Sequence, residues 1–220
     1  MNMEEELRYY HGKNIDVTWS AKRCIHATEC TRRLAAVFDT SRKPWVLPDG
    51  GSPDQVAETV THCPTGALHF SRKDGGPREA PDSVNTISLD LNGPLHVRGE
   101  ILVETPAGEV VLRDVRMSLC RCGASENKPF CDKNHEETGF QDNGLLGENK
   151  AKTEKLLPQT GPLKVVPSEN GPFQMTGPFE VRGRDGTVYR GNKVTLCRCG
   201  RSSNKPFCDD THLRIGFQSR

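Results

Sequence analysis

The sequence predicts an α+β chain of three small units, a mixed N-terminal unit followed by two β-rich copies of one metal-binding module. Three observations carry that expectation. The nine cysteines fall into three groups of three; two of those groups head the same pattern, and only 34% of the 220 residues are hydrophobic, too few for one large core. Modules this small need metal or disulfides to hold them. An odd number of cysteines does not pair off, so three metal or metal-sulfur sites account for them better than a disulfide framework.

Taken in order, Ile15 to Trp19 reads as a strand, a short helix follows Cys30, Ser52-Pro53 opens a helix running through Thr61, and Ala67 to Phe70 closes the first unit. Polar stretches bearing Gly and Pro, Ser71 to Asn85 and Asp142 to Gly161, separate the units; the second includes a candidate helix at Lys152 to Leu157. The units are expected at residues 1–71, 86–141 and 160–220. Within each repeat a hairpin feeds the cysteines. Ile101 to Thr105 and Glu109 to Leu112 flank the turn Pro106-Ala107-Gly108, and Asp185-Gly186 takes that place in the second copy. The strand entering the cysteines alternates, with Val115, Met117 and Leu119 on one face, and Val194 and Leu196 in the second copy.

The repeat is close. Cys120 to His135 reads C-R-C-G-A-S-E-N-K-P-F-C-D-K-N-H, and Cys197 to His212 reads C-R-C-G-R-S-S-N-K-P-F-C-D-D-T-H. Asn92-Gly93-Pro94 recurs as Asn170-Gly171-Pro172 with one residue deleted on the way, and Gly139-Phe140-Gln141 as Gly216-Phe217-Gln218. Three thiolates and an imidazole suit zinc or an iron-sulfur cluster. The tight C-x-C spacing favours a loop around one iron of a binuclear cluster over a zinc knuckle. If a helix begins at the last cysteine, Cys131 and His135, like Cys208 and His212, project from one face with the helix N-terminus toward the cluster.

This pattern, with Ser125, Pro129 and Asp132, and Ser202, Pro206 and Asp209, resembles the CDGSH iron-sulfur (NEET) family. The residues before the histidine depart from the family's Gly-Ser: Lys133-Asn134 and Asp210-Thr211. The resemblance implies two 2Fe-2S clusters, one on Cys120, Cys122, Cys131 and His135, the other on Cys197, Cys199, Cys208 and His212. In each, the first two cysteines would hold the inner iron and the last cysteine and histidine the outer one. It also implies that the two copies form an internal pseudo-dimer in a monomeric chain. A neutral imidazole in place of a thiolate raises the reduction potential and makes the site sensitive to acid. Arg121, Lys128, Arg198 and Lys205 either add positive charge in the same sense or stand as solvated loop residues, the plainer reading.

In the N-terminal unit Cys24, Cys30 and Cys63-Pro64 follow a ferredoxin pattern whose middle cysteine is Ala27. One corner therefore lacks its thiolate, which fits a 3Fe-4S cluster or a 4Fe-4S cluster completed by His26, water or another group. With Arg42 to Pro48 and Cys63-Pro-Thr-Gly-Ala-Leu, residues 8–70 resemble the divergent single-cluster 4Fe-4S ferredoxin domain. His11, His62, His69 and His96 read as ordinary polar positions.

Formal net charge is +1, which argues against a general nucleic-acid or membrane-surface binder. Met1 to Asp16 is charged and has no apolar core, so neither a signal peptide nor a transmembrane segment is expected, and cytoplasmic residence is the default. The chain has no nucleotide loop, nucleophile elbow or H-E-x-x-H helix. The reading is thus a non-enzymatic carrier that serves redox partner proteins or an apo-acceptor of clusters by electron transfer, redox sensing or cluster transfer. A zinc-binding interaction module is the alternative.

Overall fold

The structure is a computed structural model, and it describes residues 6–148 and 160–219; the candidate helix at Lys152 to Leu157 lies outside the described residues. The chain is mostly β with few, short helices, and its contacts divide it along the sequence near residue 80 into two compact units.

The N-terminal unit is a three-stranded antiparallel sheet in the order β1 (Leu7–Tyr10), β2 (Ile15–Ser20), β3 (Leu68–Arg72). Helix α1 (Glu29–Arg33) carries Cys30, and α2 (Pro53–Thr61) packs Val56 and Val60 into the core. The α2 start is well defined: the Ser52 side chain accepts from the Gln55 N–H while Gln55 reaches back to the Ser52 N–H, and proline occupies the first turn. Ile15, Val17, Val37, Phe38 and Val46 complete its small core.

In the C-terminal unit each repeat supplies three strands: β4 (Thr86–Leu89), β5 (Leu95–Glu104) and β6 (Val110–Leu119), then β7 (Leu163–Pro167), β8 (Phe173–Arg182) and β9 (Val188–Leu196). Each repeat pairs internally antiparallel, β4 with β5 and β5 with β6, β7 with β8 and β8 with β9. The repeats are also laced together. β5 pairs parallel with β7, and β4 pairs parallel with β8, so one six-stranded sheet holds both copies. The two parallel ladders are equivalent in register: Val103↔Val165 in one corresponds to Val181↔Ile87 in the other.

A single core follows from that exchange, with Ile87, Val103, Leu119, Val165, Val181 and Leu196 all buried within it. Asn85 adds polar stitching, donating to the carbonyls of Gly161 and Pro178 while accepting from the Glu100 N–H. The one-residue difference between copies has a location. On β6 both Val110 and Leu112 are used against the adjacent pair Glu104 and Val103, a β-bulge, whereas on β9 Val188 and Tyr189 face Arg182 and Val181 without one.

Candidate metal centres

Each repeat delivers its cysteines at the end of its third strand. Cys120 follows β6 and Cys197 follows β9; both are buried, and the Cys120 N–H donates to the Pro129 carbonyl as the Cys197 N–H does to Pro206. The returning loop is fixed by a buried serine. Ser125 Oγ donates to the Phe130 carbonyl at 2.6 Å and accepts from the Asn127 N–H; Ser202 repeats this with Phe207 and Asn204. The aspartate after the third cysteine ties loop to helix: Asp132 accepts from the N–H groups of Glu126 and Asn134, and Asp209 from those of Ser203 and Thr211. Burial opposes ionisation of Asp209, but these hydrogen bonds with Thr211 and Ser203 hold its carboxyl far below the usual range.

The helix does not begin at the last cysteine as the spacing suggested. α3 spans Asn134–Glu137 and α4 spans Thr211–Arg214, each one turn long, entered through a left-handed residue, Lys133 at φ 76° and Asp210 at φ 63°. It is this turn, standing at the glycine position of the motif, that swings the histidine back. His135 Nδ1 then lies 3.4 Å from Cys131 Sγ, and His212 Nδ1 3.4 Å from Cys208 Sγ.

The donors therefore come in twos. Cys120 Sγ and Cys122 Sγ are 3.7 Å apart, as are Cys197 Sγ and Cys199 Sγ. Two donors on one tetrahedral metal with bonds of about 2.0–2.3 Å lie about 3.5–3.7 Å apart, so each pair is spaced for one metal. Among the described residues, the one trio of potential metal-ligating atoms within 4.8 Å of one another is on Cys208, Asp210 and His212. Neither copy gathers three cysteines and a histidine around a single point.

Burial shapes the thiols. It pushes Cys131 up to about 12 and Cys197 up to about 11, and raises Cys208. Cys122 is drawn down to about 7 by the hydrogen bond it shares with Cys120, which is itself pushed up by that bond and by burial. Backbone N–H groups of Ala124 and Lys133 point at Cys122 Sγ and Cys131 Sγ. Burial also lowers the proton affinity of His135, which favours the neutral imidazole.

The solvated-loop reading of Arg121 and Arg198 does not hold: both are 1% exposed. Their guanidiniums fold back over Phe140 and Phe217 and donate to the carbonyls of Gly93 and Gly171. A charged residue between two loop cysteines gives no local signal of burial; the partners come from distant segments. Lys128 and Lys205 are partly buried and donate to the carbonyls of Ser125 and Ser202.

In the N-terminal unit Cys24, Cys30 and Cys63 line one cavity of about 860 Å³ together with His26, Ala27 and Trp45. Burial pushes Cys30 up to about 11. His26, exposed and at φ 53°, and Thr28, at φ 61°, shape the loop between the first two cysteines. The indole N–H groups of Trp19 and Trp45, both on this cavity, are buried and have no protein acceptor among the described residues. Three thiols and two orphaned donors fit a sulfur-rich guest. Elsewhere, His69 pairs with Glu79, His11 with Asp16, and His96 with Ser118.

Comparison with known families decides what these sites belong to. Residues 92–136 and 170–213 match the iron-binding zinc finger CDGSH type, and residues 10–73 match the divergent 4Fe-4S mono-cluster family. The chain is a tandem CDGSH iron-sulfur protein with an N-terminal divergent 4Fe-4S mono-cluster domain. This tandem CDGSH protein is 36% identical over 66 residues to the uncharacterized protein YjdI of Escherichia coli K12, an alignment covering 30% of this chain and 87% of YjdI. YjdI of Escherichia coli O157:H7 matches equally. No solved structure matches. Among the described residues no helix is long and apolar enough to cross a membrane.

Proposed function

We propose that this tandem CDGSH protein is a cytoplasmic one-electron carrier with two 2Fe-2S clusters and one 3Fe-4S or 4Fe-4S cluster, serving redox partner proteins. The observation that carries the reading is the two-by-two spacing of the donors, 3.7 Å between cysteine sulfurs and 3.4 Å between sulfur and imidazole nitrogen. A binuclear cluster takes one pair of donors on each iron, whereas a structural zinc takes all four around one point. Cys120 and Cys122, like Cys197 and Cys199, would hold the inner iron; Cys131 with His135, and Cys208 with His212, the outer one. Cys24, Cys30 and Cys63 would hold the third cluster at the cavity, with His26 or an exogenous group at the corner that Ala27 leaves without a thiolate.

When bound, such clusters supply reversible one-electron chemistry. The chain's own residues do the rest. The buried cysteines and the serine and aspartate hydrogen bonds hold the loops in place, and burial of His135 favours its neutral imidazole. The equivalent parallel ladders support treating the two copies as an internal pseudo-dimer within a monomer, spanning residues 86–141 and 160–220. The N-terminal cluster domain is taken as ferredoxin-like over residues 1–71. Delivery of whole clusters to an apo-acceptor is a further role for the same sites, and would be followed in the acceptor's spectrum.

The convergence of Cys208, Asp210 and His212 favours a second reading, a zinc ion in the second repeat. Iron, acid-labile sulfide and zinc analysis of anaerobically purified protein decides between them. Electron-carrier function predicts about seven to eight irons per chain with matching sulfide. A colourless protein with stoichiometric zinc and no sulfide would overturn it.

A further inference from the structure

The chain that leaves the first repeat crosses the cysteine loop of the second. It departs from Asp142, whose buried carboxylate accepts from Arg121 Nη1 and whose N–H donates to Asn92 Oδ1. It then passes the turn between β8 and β9, where the Gly144 carbonyl accepts from the Arg184 N–H at 2.9 Å, and Leu146 packs against the shared core. Beyond that it reaches the loop joining Cys199 to Cys208. The Gly147 N–H donates to the Lys205 carbonyl at 2.9 Å, and Asn204 Nδ2 donates to the Glu148 carbonyl at 2.8 Å. The approach is close: a Cβ on Gly147 would stand 2.7 Å from the Asn204 carbonyl oxygen and 2.8 Å from that of Lys205. Residues 142–148 are thus a strap, anchored on the first repeat and tied to the second.

Asn204 and Lys205 lie midway between Cys199 and Cys208. A cluster leaves only if that loop swings away from Cys197 and Cys199, and the strap's two hydrogen bonds oppose the swing at its centre. The repeats also differ in how far their ligands meet solvent. His212 is 9% and Cys199 7% exposed, whereas their counterparts His135 and Cys122 are half-buried. The last cysteines run the other way, Cys131 buried and Cys208 half-buried. The histidine decides, because a neutral imidazole holds iron less firmly than a thiolate does and is the ligand an incoming thiolate displaces first.

We propose that the two C-terminal sites divide the work: the strap retains the second-repeat cluster, and the first-repeat cluster is the one handed to an apo-acceptor. This division rests on the iron-sulfur reading and on the delivery role given to the same sites. Handover to four acceptor cysteines breaks the iron bonds to His135, Cys131, Cys120 and Cys122 and forms one bond to an acceptor thiolate for each. No electron changes hands. The acceptor thiols give up their protons as they bind iron; the vacated cysteines take up all but one, which goes to solvent.

The test follows transfer from the full-length protein, with iron and sulfide content verified, to the apo form of a four-cysteine 2Fe-2S ferredoxin, read in the ferredoxin's visible circular dichroism. Transfer is expected in two phases of equal amplitude, the first about tenfold faster, the worth of one or two hydrogen bonds. His135→Cys should remove the fast phase, and His212→Cys the slow one. Gly147→Ala pushes the strap off the loop, and Asn204→Ala removes its side-chain donor; both leave every cluster ligand in place, and each should quicken the slow phase several-fold. The second serves should the first fail to load. Loss of the slow phase on His135→Cys, a slow phase unmoved by the strap variants, or equal rates from the two repeats overturns the proposal. So does the absence of transfer from fully loaded protein, which leaves the electron-carrier reading standing. Absence of sulfide in the unaltered protein would instead sink the iron-sulfur reading beneath it.

Discussion

Val103 of the first repeat and Val165 of the second are direct neighbours in a parallel ladder, both fully buried. Their contact makes each copy part of the other's sheet. A fragment holding residues 86–141 alone exposes the edge of β5 that β7 covers and the edge of β4 that β8 covers. It is expected to show no cooperative unfolding transition by circular dichroism, while the whole C-terminal unit unfolds in one step. A sharp transition in the isolated fragment would make the repeats independent beads.

The back-to-back glycines give a second prediction. Gly123 has φ 83° and Gly200 φ 77°, and a methyl at either meets the opposite loop's backbone. Gly123→Ala combines left-handed strain with a clash that backbone must relieve, and is expected to cost about 2–4 kcal/mol of stability. Its visible absorbance should fall at both repeats, since the clash lies on Cys199. Loss confined to the first repeat, read from paramagnetic resonance, would contradict the shared boundary.

Lys133 holds a left-handed conformation at φ 76° where the family motif has glycine. Lys133→Gly should relieve about 1 kcal/mol of strain, less the entropy that glycine loses on folding. The denaturation midpoint of the C-terminal unit should rise slightly. Asp210→Gly should gain less, because aspartate tolerates this region better.

Much of this site was legible in the sequence and some was not. The cysteines and histidines announce themselves by spacing, and the turn at Pro106-Ala107-Gly108 is where expected, with Gly108 at φ 87° and its N–H donating to the Thr105 carbonyl. The helix opening at Ser52-Pro53 is likewise where its residues place it. The exchange of β4 and β7 between copies was hidden, because alternation reports which face of a strand is buried and not which strand lies beside it. The short β1 was missed too; its side chains are largely exposed, so it carries no alternation. The burial of Arg121 and Arg198 depends on Gly93, Asp142 and Phe217, residues distant in sequence. Similarly, the left-handed entry at Lys133 contradicts its own side-chain preference, and is imposed by the loop around it.

Acid should unload the repeats through their histidines. Protonated imidazole cannot ligate, and burial lowers the folded proton affinity of His135 below the ordinary value near 6.5. The neutral form is thus favoured at neutral pH, and loss of visible absorbance at the first repeat should set in below that value as pH falls. His135→Cys and His212→Cys should slow it. Decay as fast as that of the unaltered protein at low pH would remove the histidines from proton control.

The central claim, that paired donors hold binuclear clusters beside a third cluster of another kind, is tested most directly by electron paramagnetic resonance on anaerobically purified protein, oxidised and then reduced with dithionite. The account predicts 2Fe-2S signals that appear on reduction and are altered one at a time by His135→Cys and His212→Cys. It also predicts a separate 3Fe-4S or 4Fe-4S signal that disappears on Cys63→Ala. No signal in either state, together with stoichiometric zinc, would contradict it.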